Sequence, residues 1–354
     1  MSSVDDIFYI FVSVMKIGTK KIILGSAAAL IVIAAVTGLY IYRYISQPFD
    51  GEKVRVRVPA AATAADLRDS LVTALGSGYG SAVYRLWELQ GGDVSAAHGS
   101  YVVDPGASAL SVSRRIKNSR QSPVNVTFNN IRTLDALARR IATRMEFDAD
   151  AFIAACDSVL PAMGFKAPQY PAAFLPDTYQ FYWTDPADDV VTRIAGVRND
   201  FWNDSRRARA KAIGLTPVEV ATVASIVEEE TAKSDERPLV ARLYLNRLAR
   251  NMKLQADPTV KFAIGDFSLR RLYNKHLTVD SPYNTYRNTG LPPGPIRIVE
   301  RSAIDAVLDA PGHDYIYMCA REDFSGYHNF ATDYAGHQAN ARRYRAALDK
   351  RNIK

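Results

Sequence analysis

TPVEVATVASIVEEET, residues 216–231, reads as a helix with a sharply marked start. Thr216 suits the N-cap, Pro217 the first helical position, and Glu219 the place from which a capping-box acid reaches back. Val220, Val223, Ala224 and Val227 then follow at the spacing of one buried stripe. Continued, the stripe reaches Glu230 and Thr231, so Glu230 turns toward the interior while Glu228 and Glu229 diverge to the flanks. Glu230 would lie near a helix C-terminus, beside another carboxylate and partly out of water. All three conditions raise a carboxyl pKa. A glutamate kept protonated near neutrality is a general acid, the group that glycosidic cleavage requires. The bland alternative is a solvated helix end, since carboxylates are usually exposed.

The chain has 354 residues, enough for two or three modules, and its 48% apolar and 23% charged content leaves ample material for a core. A net charge of +7, with basic residues scattered among acids, does not imply nucleic-acid binding. Mild attraction to an anionic polymer or membrane surface stays open. Cys156 and Cys319 fit no metal spacing and read as core thiols, a disulfide being the lesser alternative. The five histidines form no ligand cluster, and neither a metal nor an organic cofactor is expected.

Residues 22–42 form an uncharged run long enough to span a bilayer. Lys16, Lys20 and Lys21 precede it and Arg43 follows, with Tyr40, Tyr42 and Tyr44 as an aromatic belt. Charge asymmetry puts residues 1–21 in the cytoplasm and everything after the anchor outside it. The expected location is the cell (inner) membrane, with the later residues extracytoplasmic (periplasmic). A cleaved signal peptide fits less well, because the run is too long for an ordinary h-region.

A short linker, 43–53, leads to strand–turn–helix units over 54–165. VRVRV at 54–58 alternates strictly and Thr63 caps a helix over 64–75; SYVV at 100–103 precedes a helix capped by Ser108; VNVTF at 124–128 precedes one over 133–144. Short strands joined to short helices argue small α+β modules. Residues 166–183, with FLPDTYQFYW, read as a buried aromatic junction or a sugar-stacking wall. Residues 188–215 read as one helix and 238–251 as another. From 246 to 296 the chain is loop-rich, with Gln255, Asp257, Thr259, Asn284, Thr285 and Tyr286 as amide, acid, hydroxyl and aromatic groups suited to sugars.

Three stretches occur in order: VASIVEEET, LYLNRLARNMKLQADPTV and SPYNTYRNTGLPPGPI. Together they resemble the endolytic murein transglycosylase family (YceG-like) over roughly 170–345. GSYVVDPGASALSVSRRI, residues 99–116, resembles the LysM-like region of such wall enzymes, where glycan positioning is supposed; a plain spacer is the alternative. The resemblance implies a lyase, anchored by one transmembrane helix, with LysM-like α+β modules and an α+β catalytic domain over 166–350. It implies cleavage of nascent peptidoglycan strands, with Glu230 as catalytic acid. Its further motifs, which include Pro258, give Asn246, Arg247, Gln255, Asp257, Thr259, Tyr283, Asn284, Thr285 and Tyr286 as substrate-binding candidates; Thr231 joins them, and Thr231 and Asn284 are candidates for orienting acid or sugar. Glu229 departs from the family pattern, in which lysine is common, and a third acid there would push the pKa of Glu230 further. Peptidoglycan is the expected partner, with its synthases as further candidates. Two rivals stand beside this reading. One is a muramidase-type hydrolase using Asp257 as second carboxylate; the other is a non-catalytic, membrane-tethered glycan-binding scaffold.

Overall fold

The uncharged run lies in a 42-residue helix, α1 (Val4–Ile45), in a computed structural model that describes residues 4–269 and 271–351. Within it Leu24–Ile45, of mean hydropathy 2.2, is long and apolar enough to cross a membrane. Most of its side chains are exposed, as Leu30 and Ile31 show at 67% and 70%, and only Tyr44 and Ile45 at its end pack on the core of the unit that follows.

The chain divides into two compact units, residues 1–123 and 124–354. After α1 the first holds β1 (Val54–Val58), α2 (Ala64–Leu75), α3 (Ser77–Leu89), α4 (Val94–Ala97), β2 (Gly99–Val103) and α5 (Ala109–Lys117). Thr63 and Asp66 close a capping box that starts α2, and Leu67, Leu71 and Leu75 bury its inner face. β1 pairs antiparallel with β2, Val54 opposite Val103 and Val58 opposite Gly99. This small sheet and its helices share one core, to which Val56, Tyr101, Val112 and Ile116 contribute.

The second unit runs β3 (Val124–Phe128), α6 (Leu134–Ala142), α7 (Ala149–Val159), β4 (Asp177–Phe181), α8 (Ala187–Phe201), α9 (Asp204–Ala212), α10 (Pro217–Glu230) and α11 (Arg237–Ala249). It continues with α12 (Asp257–Ile264), α13 (Asn274–Leu277), α14 (Arg301–Leu308), β5 (Tyr317–Ala320), β6 (His328–Ala331) and α15 (Tyr334–Lys350). The boundary falls at 123/124 and not at 165/166, because β3 pairs antiparallel with β4, Val124 opposite Phe181. That pairing buries Val124, Val126 and Phe128 in the core of the second unit. The aromatic segment serves the same core: Phe174, Tyr179, Phe181 and Trp183 are buried, while Tyr182 alone among its rings is about half exposed. The helix expected over 188–215 is two helices, broken at Trp202 and restarted by Asn203, whose side chain caps α9.

α10 has the expected capping box between Thr216 and Glu219. It is not buried along one stripe, however. Every residue from Val220 to Glu228 is buried, because α9, α11, α12 and α14 surround it. Val220, Val223, Ile226 and Val227 are each fully enclosed, worth roughly 1.5–3 kcal/mol apiece against exposure. The proline-rich loop is pinned to this helix where the Ile296 N–H donates to Ser225 Oγ at 3.0 Å. Gly294 of that loop lies so close to the Pro168 carbonyl that a Cβ would collide with it.

Candidate active site

Glu230 is the last residue of α10, where Thr231 leaves helical geometry at φ −136° and ψ 131°. The Lys233 N–H donates to Thr231 Oγ1 at 3.1 Å and turns the chain toward α11. From α11, the nearly fully buried Tyr244 donates its hydroxyl proton to Glu230 Oε1 at 2.9 Å. Tyr244 and Arg247 are one turn apart on α11 and so share a face. That face, with Glu230, walls a cavity of about 230 Å³. Gln255, Asp257 and Tyr286 line it from the loop-rich region, and Met318, Cys319 and His328 from the β5–β6 hairpin.

Burial pushes the Glu230 carboxyl up to about 7, and the negative charge of Asp257 adds to that push. The Tyr244 hydrogen bond, then Lys261 and Arg247, pull the other way. The neighbouring carboxylate that matters is therefore Asp257, not Glu229. Glu229 is held by Arg132 at 3.0 Å and Arg297 at 2.8 Å, on another side of the helix. Glu228 pairs with Arg297 at 3.3 Å and accepts the Glu300 N–H at 3.1 Å; burial still raises its pKa, with Arg297 opposing. Of the three glutamates Glu228 is the most enclosed; Glu230 opens on the cavity of about 230 Å³, while Glu229 with Arg132 lines a much smaller one of about 40 Å³.

The other sequence candidates separate into two groups. Arg247, Gln255, Asp257 and Tyr286 reach the cavity. Arg247 is fixed there by donating to the carbonyls of Ile316 at 2.7 Å and Leu254 at 2.7 Å. Gln255 holds φ +51°, a left-handed backbone unusual for its type, and Tyr286 donates to Asp257 Oδ1 at 2.6 Å. The remaining candidates spend their polar atoms on the protein. Asn246 donates to the carbonyls of His313 and Tyr315; Asn284 donates to those of Leu277 and Val279 and accepts the Tyr286 N–H. Thr259 and Thr285 share a buried hydrogen bond of 2.8 Å, and Thr285 also accepts the Ala256 N–H. Tyr283 packs its ring on Phe262 with centroids 4.7 Å apart. These five shape the wall without facing the cavity.

Seven cavity residues are absent from the sequence candidates: Leu243, Tyr244, Leu254, Met318, Cys319, Ala320 and His328. Tyr244 carried a usable signal, three residues before Arg247 on one helix face. Met318, Cys319 and His328 carried none, since two four-residue strands show no periodicity. Cys156 is a buried core thiol as expected, but Cys319 is not: it is partly exposed in the cavity wall, and neither cysteine is bridged.

A family model described as the YceG-like family matches residues 56–343. The chain belongs to the YceG-like family. It is similar to the endolytic murein transglycosylase of Bacillus subtilis, 36% identical over 148 residues that make up 42% of this chain and 41% of that one. It is also similar to the endolytic murein transglycosylase of Streptococcus pneumoniae, 38% identical over 114 residues, 31% of this chain and 21% of that one. The matched segments thus span well under half the length of these relatives. A 2.6 Å crystal structure of a yceG-like protein from Listeria monocytogenes superposes with a TM-score of 0.55 at 25% identity. That match covers 81% of this chain and 98% of the other.

Proposed function

We propose that this chain is an endolytic peptidoglycan lytic transglycosylase, a lyase that cuts the β-1,4 bond between N-acetylmuramic acid and N-acetylglucosamine inside nascent strands. The observation that carries the reading is Glu230: a carboxyl pushed up to about 7, bonded by a tyrosine and not by a cation, at the wall of a cavity. Glu230 protonates the bridging oxygen. The muramyl 6-hydroxyl attacks the anomeric carbon, closing a 1,6-anhydro ring as the glycosidic bond breaks, and its proton passes to a base of the cleft. Glu230, once ionised, is one such base, so a single carboxylate can serve where ordinary glycosidases use two. Arg247, Gln255, Asp257 and Tyr286 are the groups proposed to hold the sugars. Thr231, Asn246, Thr259, Tyr283, Asn284 and Thr285, substrate-binding candidates by sequence, are proposed to act by positioning those groups, which fits their bonds within the protein.

The wider setting follows the same reading. α1 is proposed as a retained single-pass anchor with its N-terminus in the cytoplasm, the second unit acting outside on growing strands to end their elongation. The first unit, with its LysM-like segment at 99–116, is proposed to position the glycan. Peptidoglycan synthases are proposed partners.

Asp257 lines the same cavity and keeps the hydrolase reading in play. Full-length protein in detergent, given uncross-linked glycan strands, separates the cases by mass spectrometry of the fragments. Anhydro-muramyl ends support the proposal, reducing muramyl ends favour a hydrolase, and uncut strands leave only the binding scaffold.

A further inference from the structure

We infer that His328, oriented by Glu236, is the base that takes the proton of the attacking muramyl hydroxyl; the inference rests on the transglycosylase reading above. His328 begins β6 and lines the same cavity as Glu230. Its ring Nδ1 lies 2.9 Å from Glu236 Oε2, and its backbone N–H donates to Glu236 Oε1 at 2.6 Å. Glu236 is only 3% exposed, a carboxylate committed on both oxygens to one histidine. A carboxylate only accepts, so Nδ1 carries the ring proton, and in the neutral ring Nε2 presents a lone pair. Among the described residues no protein group bonds that Nε2. A buried acid fixing the tautomer and orientation of a histidine at a cavity wall is the arrangement by which acyl-transfer enzymes prepare a general base.

The chemistry has a place for it. Tyr244 donates to Glu230, which steadies the glutamate anion after it has given up its proton and, for the same reason, weakens it as a base. A second base relieves that conflict. The Glu230 proton goes to the departing sugar oxygen as the C1–O bond breaks. O6 bonds to C1, and the O6 proton moves to His328 Nε2, giving an imidazolium balanced by Glu236. Exchange with water then returns a proton to Glu230 and removes one from His328, so the cycle closes without any other reactant.

The test uses full-length protein in detergent on uncross-linked glycan strands. His328→Gln should lower kcat about 10²-fold, with KM within about threefold and a wild-type melting curve, and added imidazole should restore part of the rate. Glu236→Gln should lower kcat in the same direction but less, because the ring remains and only its orientation is lost. A kcat within threefold of wild type, a loss confined to KM, or a loss that imidazole does not repair in a folded variant would overturn the assignment. Should His328→Gln not fold, carbethoxylation of the wild-type protein decides instead, mapped by peptide mass spectrometry. Inactivation must track modification of His328 and be prevented by an anhydro-muramyl disaccharide; protein modified there yet fully active sinks the idea. Wild type that yields reducing ends fells the functional reading itself. Wild-type anhydro ends with an unimpaired His328→Gln fell only this inference.

Discussion

The C-terminal turn of α10 carries three glutamates in a row, and they end in two different environments. Glu228 and Glu229 face a cationic side, where Arg297 bridges both and Arg132 adds a second hold on Glu229. Glu230 faces the cavity, where its hydrogen-bond partner is a tyrosine. An arginine within contact favours the carboxylate form with a full opposite charge, whereas a buried phenol donates without bringing a charge. The same residue type, one position apart, is thereby split into an arginine-paired anchor and a candidate proton donor. Partner chemistry decides the role, not position along the helix alone.

The contrast breaks most visibly at the acid. Glu230→Gln keeps the shape and the Tyr244 bond but supplies no proton, so cleavage should fall at least ~10²-fold with the fold intact. Glu228→Gln and Glu229→Gln should each cost much less, within about tenfold. Release of glycan fragments by the three variants checks this, and an inactive Glu229→Gln with an active Glu230→Gln would reverse the comparison.

The anchoring side answers to stability. Arg297 is 7% exposed and serves both Glu228 and Glu229. Arg297→Met should destabilise the second unit by about 3 kcal/mol, because it strands buried carboxylates more than because it removes an attraction. Denaturant melts measure it. Replacing Arg297 together with both glutamates by apolar residues should recover much of the loss, and if it does not, the arginine matters through packing.

Much of this was legible in the chain. Capping residues Thr63, Ser108 and Thr216 sit where their local chemistry puts them, and the alternation of VRVRV and VNVTF marks β1 and β3. Local bonds have local signatures. What escaped depends on distant partners. Nothing in VNVTF says that its mate is DTYQF, so the module boundary was misplaced, and nothing in the helix pattern says that α10 would be enclosed on every side. Asn284, Thr285 and Thr259 were read as sugar ligands because an amide or hydroxyl suits a hexose. The protein's own backbone uses the same groups: carbonyls take the donors of Asn284 and Thr259, and the Ala256 N–H donates to the Thr285 hydroxyl.

Around Glu230 the opposed influences can be tuned in both directions. Tyr244→Phe removes the hydrogen bond that lowers its pKa, so the alkaline limb of the activity profile should move to higher pH. Asp257→Asn removes a negative neighbour that raises it, so the limb should move to lower pH. Rates measured from pH 5 to 9 give both limbs. Shifts of opposite sign sharpen the picture of a lone acid in a polar frame. Complete inactivity of Asp257→Asn would instead make Asp257 the second carboxylate of a hydrolase.

The smallest effect is one of folding linkage. Glu230 has a folded-state pKa of about 7 against an ordinary value of 4.5, so the folded protein holds a proton that the unfolded chain has already released. Below about pH 4.5 both states are protonated and the group makes no difference. As pH rises the unfolded state gains the freedom to ionise in water, and the native state loses relative stability until it too ionises near pH 7. Above that the penalty is constant, on the order of 1–3 kcal/mol. Glu230→Gln has no such penalty. It should therefore match wild type near pH 4, and exceed it in melting temperature at pH 8. A variant clearly less stable than wild type at pH 8 would mean that a cation holds Glu230 ionised in the native state. In that case all three glutamates of the turn would serve as ion-pair anchors, and the proton donor would have to be sought elsewhere on the cavity wall.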